Sequence, residues 1–541
     1  MKIFLFVWWI CGIVVILHLV QGMKRGLFII WCMICVWTTV SATVPPRIRK
    51  AGCVTSAQTY RAPWNEPQRR SGSQMDAPLR SIGVQKIPVV LVEFADCAFS
   101  VADDGEGTRL FYDRFCNGTL DGNLYTGGGS YGSVRDYYVQ QSDSLFLPEF
   151  VVVGPVTLSN SYAYYGKNNG NVHDVNINVF VSQAVLRAQD LFRDWTQFDN
   201  DGDGVVDMIY FIYAGEGENG CDDENTIWPH EEMSERSIAN VRFGAYGCCN
   251  ELYTNKPDGV GVMCHELGHA LGLPDFYDTK GSEYGLDYWD IMDSGCYCGD
   301  AYHPCGFSAY EKDFMGWRKL VELKRDEEVS LTLMPVSAGG TGYKMKNPAN
   351  EYEYFILENR QNIGWDEFIG RGTATTKRHG MLVSHVDYSI TRWSLNNVNT
   401  TPEHQYYTII PADNDLYSYS LVETDEDLQA WALSADGDLY PGSKGVTCLF
   451  ADRQPVYTAS GSMQQPITSI CEHEDGTVTL TVCRFADVNG DGTVDTQDVL
   501  EIYDYMQTQT TTTPHAREDV NRDKIVDSQD VLGVYDYMVG K

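Results

Sequence analysis

The residues best suited to chemistry lie in Cys264-His265-Glu266-Leu267-Gly268-His269-Ala270-Leu271-Gly272-Leu273-Pro274-Asp275. The pattern is H-E-x-x-H-x-x-G-x-x-D. Residues four apart share a helix face, so His265 and His269 present two imidazoles to one metal ion. Zinc takes about four ligands, and a catalytic site leaves one position for water. Glu266 is badly placed to ligate the same ion but well placed to take a proton from that water. The predicted helix covers about 259–271 with Asp258 as its N-cap. Gly272 ends it, because a left-handed terminal residue is cheapest as glycine, and Pro274 prevents continuation. The reversed chain then offers Asp275 as a third, oxygen ligand. Glu311, on a helix predicted over 307–317, is the rival for that role, and the sequence leaves the choice open. A structural zinc site would have no need of Glu266.

A second stretch, Tyr288-Trp289-Asp290-Ile291-Met292-Asp293-Ser294-Gly295, follows. It resembles the Met-turn that lies beneath the zinc of metzincin peptidases, with Met292 as its methionine.

These groups need a folded frame, and the composition supplies one. The 541 residues are 43% hydrophobic and 12% aromatic, enough for several domains with real cores. The net charge of −34 argues against a nucleic-acid partner. Two apolar runs, 3–20 and 26–40, open the chain. Lys24 and Arg25 precede the second run and Val40-Ser41-Ala42 follows it, which reads as a signal peptide over 1–42, with Met23 as a possible start. The alternative is one or two retained membrane spans at this end. After cleavage near Ala42 no later stretch is apolar enough to span a bilayer, so the chain is expected to be secreted or held at the cell surface. Removal of Cys11, Cys32 and Cys35 leaves 13 of 16 cysteines, and in an exported chain most of these are expected to form disulfides.

Residues 43–84 are rich in Arg, Pro, Ser and Gln and read as a propeptide. Its single Cys53 offers a thiolate that would block the metal of a zymogen, although an incidental cysteine is the plainer account. The catalytic domain is expected over 85–319. Its frame begins with an apolar strand at Lys86–Asp96, a short helix at Val134–Gln140 capped by Ser133, a strand at Phe150–Val156 and an amphipathic helix at Asn176–Trp195. Asp199, Asp201, Asp203 and Asp207 follow at loop positions 1, 3, 5 and 9, a calcium spacing. A strand over Met208–Tyr213 comes next, so this is one structural calcium loop within the domain and not an EF-hand. His230, in Trp228-Pro229-His230, is a weaker ligand candidate.

From Leu320 the pattern turns to alternating segments rich in Tyr, Val, Ile and Thr, predicting a β-rich, sandwich-like domain over 320–484. Polar groups within it, Glu358-Asn359-Arg360-Gln361 and His385-Val386-Asp387-Tyr388, are read as satisfying one another. The tail, 485–541, repeats itself with a period of 32 residues. Asp487, Asn489, Asp491, Thr493, Asp495 and Asp498 recur as Asp519, Asn521, Asp523, Ile525, Asp527 and Asp530, two calcium loops each leading into one helix. Lys524 stands where the first loop has a glycine, which makes the second turn less comfortable. This duplicated unit resembles a dockerin, a small all-α module. The resemblance implies two bound calcium ions and docking to a cohesin-type partner.

Taken together, the chain resembles the immune inhibitor A-like family of secreted zinc metallopeptidases over about 86–482. The likeness rests on Gly132-Ser133-Val134-Arg135-Asp136-Tyr137-Tyr138, Asp199–Asp207, Trp228-Pro229-His230, His265–Asp275, Trp289-Asp290-Ile291-Met292 and Glu358–Gln361 with Gly364-Trp365-Asp366. It implies an α+β, metzincin-like fold and an exported endopeptidase acting on proteins or peptides, made as a zymogen. One catalytic zinc would be held by His265 and His269, with Glu266 as base. The competing class is a non-enzymatic, calcium-rich surface protein with a structural zinc. An aminopeptidase would in addition need a site for a free amine.

Overall fold

The structure is a computed structural model. It describes the backbone of residues 39–42 and, from 77 to 540, all but 101–106, 120–124, 126, 171, 193, 222, 282, 349, 373–374, 403, 450–456, 459–460, 463–464, 510–516 and 522–524. The predicted signal peptide, apart from its last four residues, and the predicted propeptide up to 76, with Cys53, lie outside the described residues.

A seven-stranded mixed sheet carries the first half of the chain. Its strands are β1 (Thr39–Ala42), β2 (Gly83–Glu93), β3 (Phe146–Thr157), β4 (Val206–Glu216), β5 (His230–Ile238), β6 (Val241–Tyr253) and β7 (Lys256–Pro257). The order is β1-β5-β6-β4-β2-β3, with β7 beside β6. β3, β2, β4 and β6 run parallel, whereas β5 and β1 complete one edge antiparallel. The parallel centre explains the unbroken apolar run of β2, since such strands are covered on both faces. Val89 and Leu91 turn to one face and Val90 and Val92 to the other.

The helix Ile177–Ala188 covers the second face through Phe180, Val181, Ala184 and Val185. It is shorter than predicted because the chain turns at Asp190 towards the Asp199 loop. The helix Gly261–Ala270 covers the first face, and all ten of its residues are buried. The residue preceding it is Val260, not Asp258. Asp258 instead accepts from Gly259 N at 2.8 Å and Asn250 Nδ2 at 3.0 Å, just ahead of the helix. Ser133 caps Val134–Gln141 as predicted, in a reciprocal box with Asp136.

Besides a two-stranded ribbon of Tyr457–Thr458 and Gly461–Ser462, two further sheets follow Leu320. One has five strands, around Asn350–Arg360 and Gly380–Asp387, and the other three, around Val478–Val482. They pack face to face through Leu333, Phe355, Leu357, Val383, Ile467 and Leu480. The other side of the five-stranded sheet, through Tyr354, Ile356, Leu382 and Val386, joins the same core as the helix Gly261–Ala270. The apolar core is therefore continuous across residue 320.

The tail contributes the helices Thr496–Thr508 and Ser528–Met538, each capped by its loop aspartate. It is tied to the body at several points. Arg325 lies 3.6 Å over the ring of Phe485. Arg484 donates to Asp326 O at 2.9 Å and to Gly492 O at 2.7 Å. Among the described residues no helix is long and apolar enough to cross a membrane.

The cysteines differ from expectation. Cys97, Cys116, Cys221, Cys248, Cys249, Cys264, Cys296, Cys298, Cys305 and Cys471 are thiols and form no disulfide. Most sit in the apolar cores as small hydrophobic residues, and burial pushes the Cys116, Cys248 and Cys264 thiols up.

Candidate metal centre

Gly272, at φ 101°, ends the motif helix and turns the chain back, as its sequence position predicts. Three side chains then converge. His265 Nε2 and His269 Nε2 are 3.1 Å apart. Asp275 Oδ1 lies 3.2 Å from the first and 3.3 Å from the second. All three residues are buried.

Backbone carbonyls fix the orientation of each imidazole. His265 Nδ1 donates to Ile291 O at 2.7 Å, and His269 Nδ1 donates to Leu273 O at 2.8 Å. With the ring protons so used, both Nε2 atoms are lone-pair donors to a metal. Three acceptor atoms thus meet with no proton among them, which is the arrangement a divalent cation satisfies. Two nitrogens and one oxygen suit zinc. Burial lowers the proton affinity of His265. Burial raises that of Asp275, but in the metal-free fold a proton on either imidazole would more than offset it and bring the carboxyl to about 2.

Asp275 is held by a residue that the sequence gave no reason to single out. Asn396 Nδ2 donates to Asp275 Oδ2 at 2.6 Å, and Asp275 N donates to Asn396 Oδ1 at 2.7 Å. Asn396 comes from the second half of the chain and has φ 48°, a conformation that asparagine tolerates better than most residues. A contact 121 residues distant leaves no local signature.

Glu311 is not part of the trio. Its Oε2 accepts from Ser308 N at 2.7 Å and Ser308 Oγ at 3.0 Å, capping its own helix, Ala309–Phe314. It also faces Asp290, and burial pushes both carboxyls up, Asp290 to about 6. Asp290 shapes the turn beneath the metal centre, its Oδ1 accepting from Met292 N at 2.8 Å. Met292 packs under the motif helix: a Cβ on Gly268 would come within 2.5 Å of its Sδ. His230 lies on the opposite face of the sheet, bonded to Trp228 O at 2.6 Å and to Tyr246 OH at 2.7 Å. Glu358, Arg360 and Asp366 form a buried network that reaches Gly306 O, so they brace the loop after Met292.

A second acidic group gathers at Asp199, Asp201 and Asp203. Asp207 stands beside it, its Oδ2 accepting from Asn200 N at 3.2 Å and from Asn200 Nδ2. Burial pushes the Asp207 carboxyl up to about 7 against those two bonds. In the first tail loop, Asp487 accepts from Gly490, Asp491 and Gly492 N, and Asp498 from Val488, Asn489 and Asp495 N. Asp491 Oδ1 accepts from Thr493 N and Oγ1. In the second loop Asp530 accepts from Asn521 and Asp527 N. Asp523 and Lys524 lie outside the described residues, and Asp519 is buried.

Comparison with known proteins agrees with this anatomy. Residues 79–319 match the family described as immune inhibitor A peptidase M6, catalytic domain, and residues 485–538 match the dockerin type I domain. The pre-pro-metalloprotease PrtV of Vibrio cholerae serotype O1 (strain M66-2) is 30% identical over 274 residues, covering 42% of this chain and 29% of that protein. Immune inhibitor A of Bacillus thuringiensis subsp. alesti is 28% identical over 284 residues, covering 44% of this chain and 41% of that protein. The chain thus spans less than half the length of these curated relatives.

Proposed function

We propose that this chain, whose residues 79–319 are a peptidase M6 catalytic domain, is an exported zinc-dependent endopeptidase anchored through its dockerin. The observation that carries the reading is the convergence of His265 Nε2, His269 Nε2 and Asp275 Oδ1 at the helix that also carries Glu266. Zinc bound there would acidify a water molecule and polarise the scissile carbonyl. Ile291 O and Leu273 O keep the ring protons on the far side of both imidazoles, and Asn396 keeps Asp275 aimed inward. Glu266 takes the proton from the attacking water and returns it to the leaving amine. Met292 packs directly against Gly268, which holds the motif helix against the turn beneath it.

Around this centre, residues 1–42 would direct export and 43–84 would hold the enzyme inactive until removed. Asp199, Asp201, Asp203 and Asp207 would hold one calcium ion, and the two tail loops one each. The charged tail would bind a cohesin-type module and the cleft protein or peptide substrates.

The test is casein hydrolysis by the zinc-loaded, trimmed protein against Glu266→Gln. A loss of about 10² to 10⁴ in rate with zinc content unchanged is expected. If both proteins hold one zinc and neither cleaves any protein tried, the metal is structural and the surface-binding reading replaces this one.

A further inference from the structure

Neighbouring glutamates on β5 have opposite surroundings. Glu232 accepts from Arg236 Nη2 at 2.6 Å and from Tyr246 OH at 2.9 Å. Glu231 is equally buried, yet neither of its carboxylate oxygens meets a hydrogen-bond donor or a cation among the described residues. Leaving an ionised carboxylate bare and dry costs several kcal/mol, and such groups call for a specific explanation.

Strand alternation shows which way Glu231 faces. His230 and Glu232 both reach Tyr246, which packs in the core on the side of the helix Ile177–Ala188. Glu231 therefore turns to the other face. Its register partner Gly247 approaches Met208 and Tyr210 on that face, which belong to the core of the motif helix.

β5 lies against the motif helix, and its outer edge accepts an antiparallel strand. In this chain that strand is Thr39–Ala42, with Ser41 opposite Glu231 and Ala42 opposite His230. Residues directly opposite in an antiparallel ladder share a face. An extended peptide taking the place of Thr39–Ala42 would carry one side chain to the Glu231 carboxylate, on the face of the metal centre. We propose that Glu231 determines specificity, accepting the ammonium or guanidinium group of a lysine or arginine side chain in a peptide paired along β5. This deepens the peptidase reading, on which it rests only for the fate of the bound peptide. Burial raises the proton affinity of Glu231, and an arriving cation would reverse that shift.

The test is binding of fluorescent, acetylated and amidated peptides to the full chain in a Glu266→Gln background, where nothing is cleaved. A single lysine or norleucine is scanned along otherwise identical sequences. Acetylation leaves the side chain as the only cation. Displacing Thr39–Ala42 costs every peptide the same, so affinity ratios report the Glu231 contact. At one position lysine should bind at least about tenfold tighter than norleucine. Glu231→Gln should abolish that preference, and Glu231→Lys should transfer it to a glutamate peptide. Equal affinities at every position in the parent protein, or a lysine preference that survives Glu231→Gln, would overturn the proposal. A lysine preference lost with Glu231→Gln, in a chain whose wild type cleaves nothing, would support the proposal and defeat the peptidase reading instead.

Discussion

Replacing Asn396 by glycine isolates the contact that orients the proposed third ligand. Glycine accepts φ 48° without strain, so the substitution removes two hydrogen bonds to Asp275 without straining the backbone. One is the 2.6 Å bond from Asn396 Nδ2 to the carboxylate and the other the 2.7 Å bond from Asp275 N. The buried N–H of Asp275 then lacks its acceptor, at a cost of about 1–3 kcal/mol in the metal-free fold. The carboxylate, freed to rotate, no longer keeps Oδ1 between the two imidazoles. Partners of metal ligands typically contribute 10- to 100-fold in affinity, about 1.4–2.7 kcal/mol. Zinc affinity of the full chain, measured by competition with a chromogenic chelator, should fall by that factor. Asn399→Ser is the control. Asn399 donates to Phe276 O and Tyr407 O, each within hydrogen-bond distance, without touching Asp275. It should lower the melting temperature while leaving affinity closer to wild type. Unchanged zinc affinity in Asn396→Gly, or an equal loss in both variants, would refute this assignment of Asn396.

Gly268→Ala should lower the melting temperature, because the new Cβ meets Met292 Sδ at 2.5 Å. Overpacking of this kind costs about 1–3 kcal/mol, and Met292→Ala on the same chain should recover part of it. Full additivity of the two changes would show that they do not touch. The Asp207 carboxyl has a folded value of about 7, above its ordinary 3.8. Its protonation therefore stabilises the calcium-free fold below the lower value, and that contribution is lost as pH rises through the upper one. Calcium competes with this proton, so the gain in melting temperature on adding calcium should grow between about pH 6 and 8. Calorimetry with calcium and with chelator measures it, and a growth that persists in Asp207→Asn would assign the effect elsewhere.

The parts of the site that were legible in sequence are those built locally. His265, Glu266, His269, Gly272 and Asp275 lie within 11 consecutive positions, so helix periodicity and a glycine turn bring them together. Capping by Ser133 was legible for the same reason. Asn396, Glu231 and the Ile291 carbonyl act through sheet register and long-range packing, which spacing does not encode. Glu311 read as a ligand candidate because a glutamate on a downstream helix can fill that role. The competing use, a capping box with Ser308 three residues earlier, was present in the same letters. The cysteines depart from the pairing expected of an exported chain because a buried thiol is also an ordinary core residue.

The joint at Phe485 sets the geometry of any anchored state. Phe485 N donates to Arg325 O, Arg325 covers its ring, and Arg484 ties Asp326 to the first tail loop at Gly492. A loose tether of n residues lets an enzyme sweep a volume that grows with chain length. Here the tail is clasped to the body within two residues of Cys483. A partner gripping the tail helices would hold the cleft at one distance and one bearing. Its working range would then be set by the mobility of the scaffold and the substrate, and enzymes docked side by side would keep fixed lines of sight.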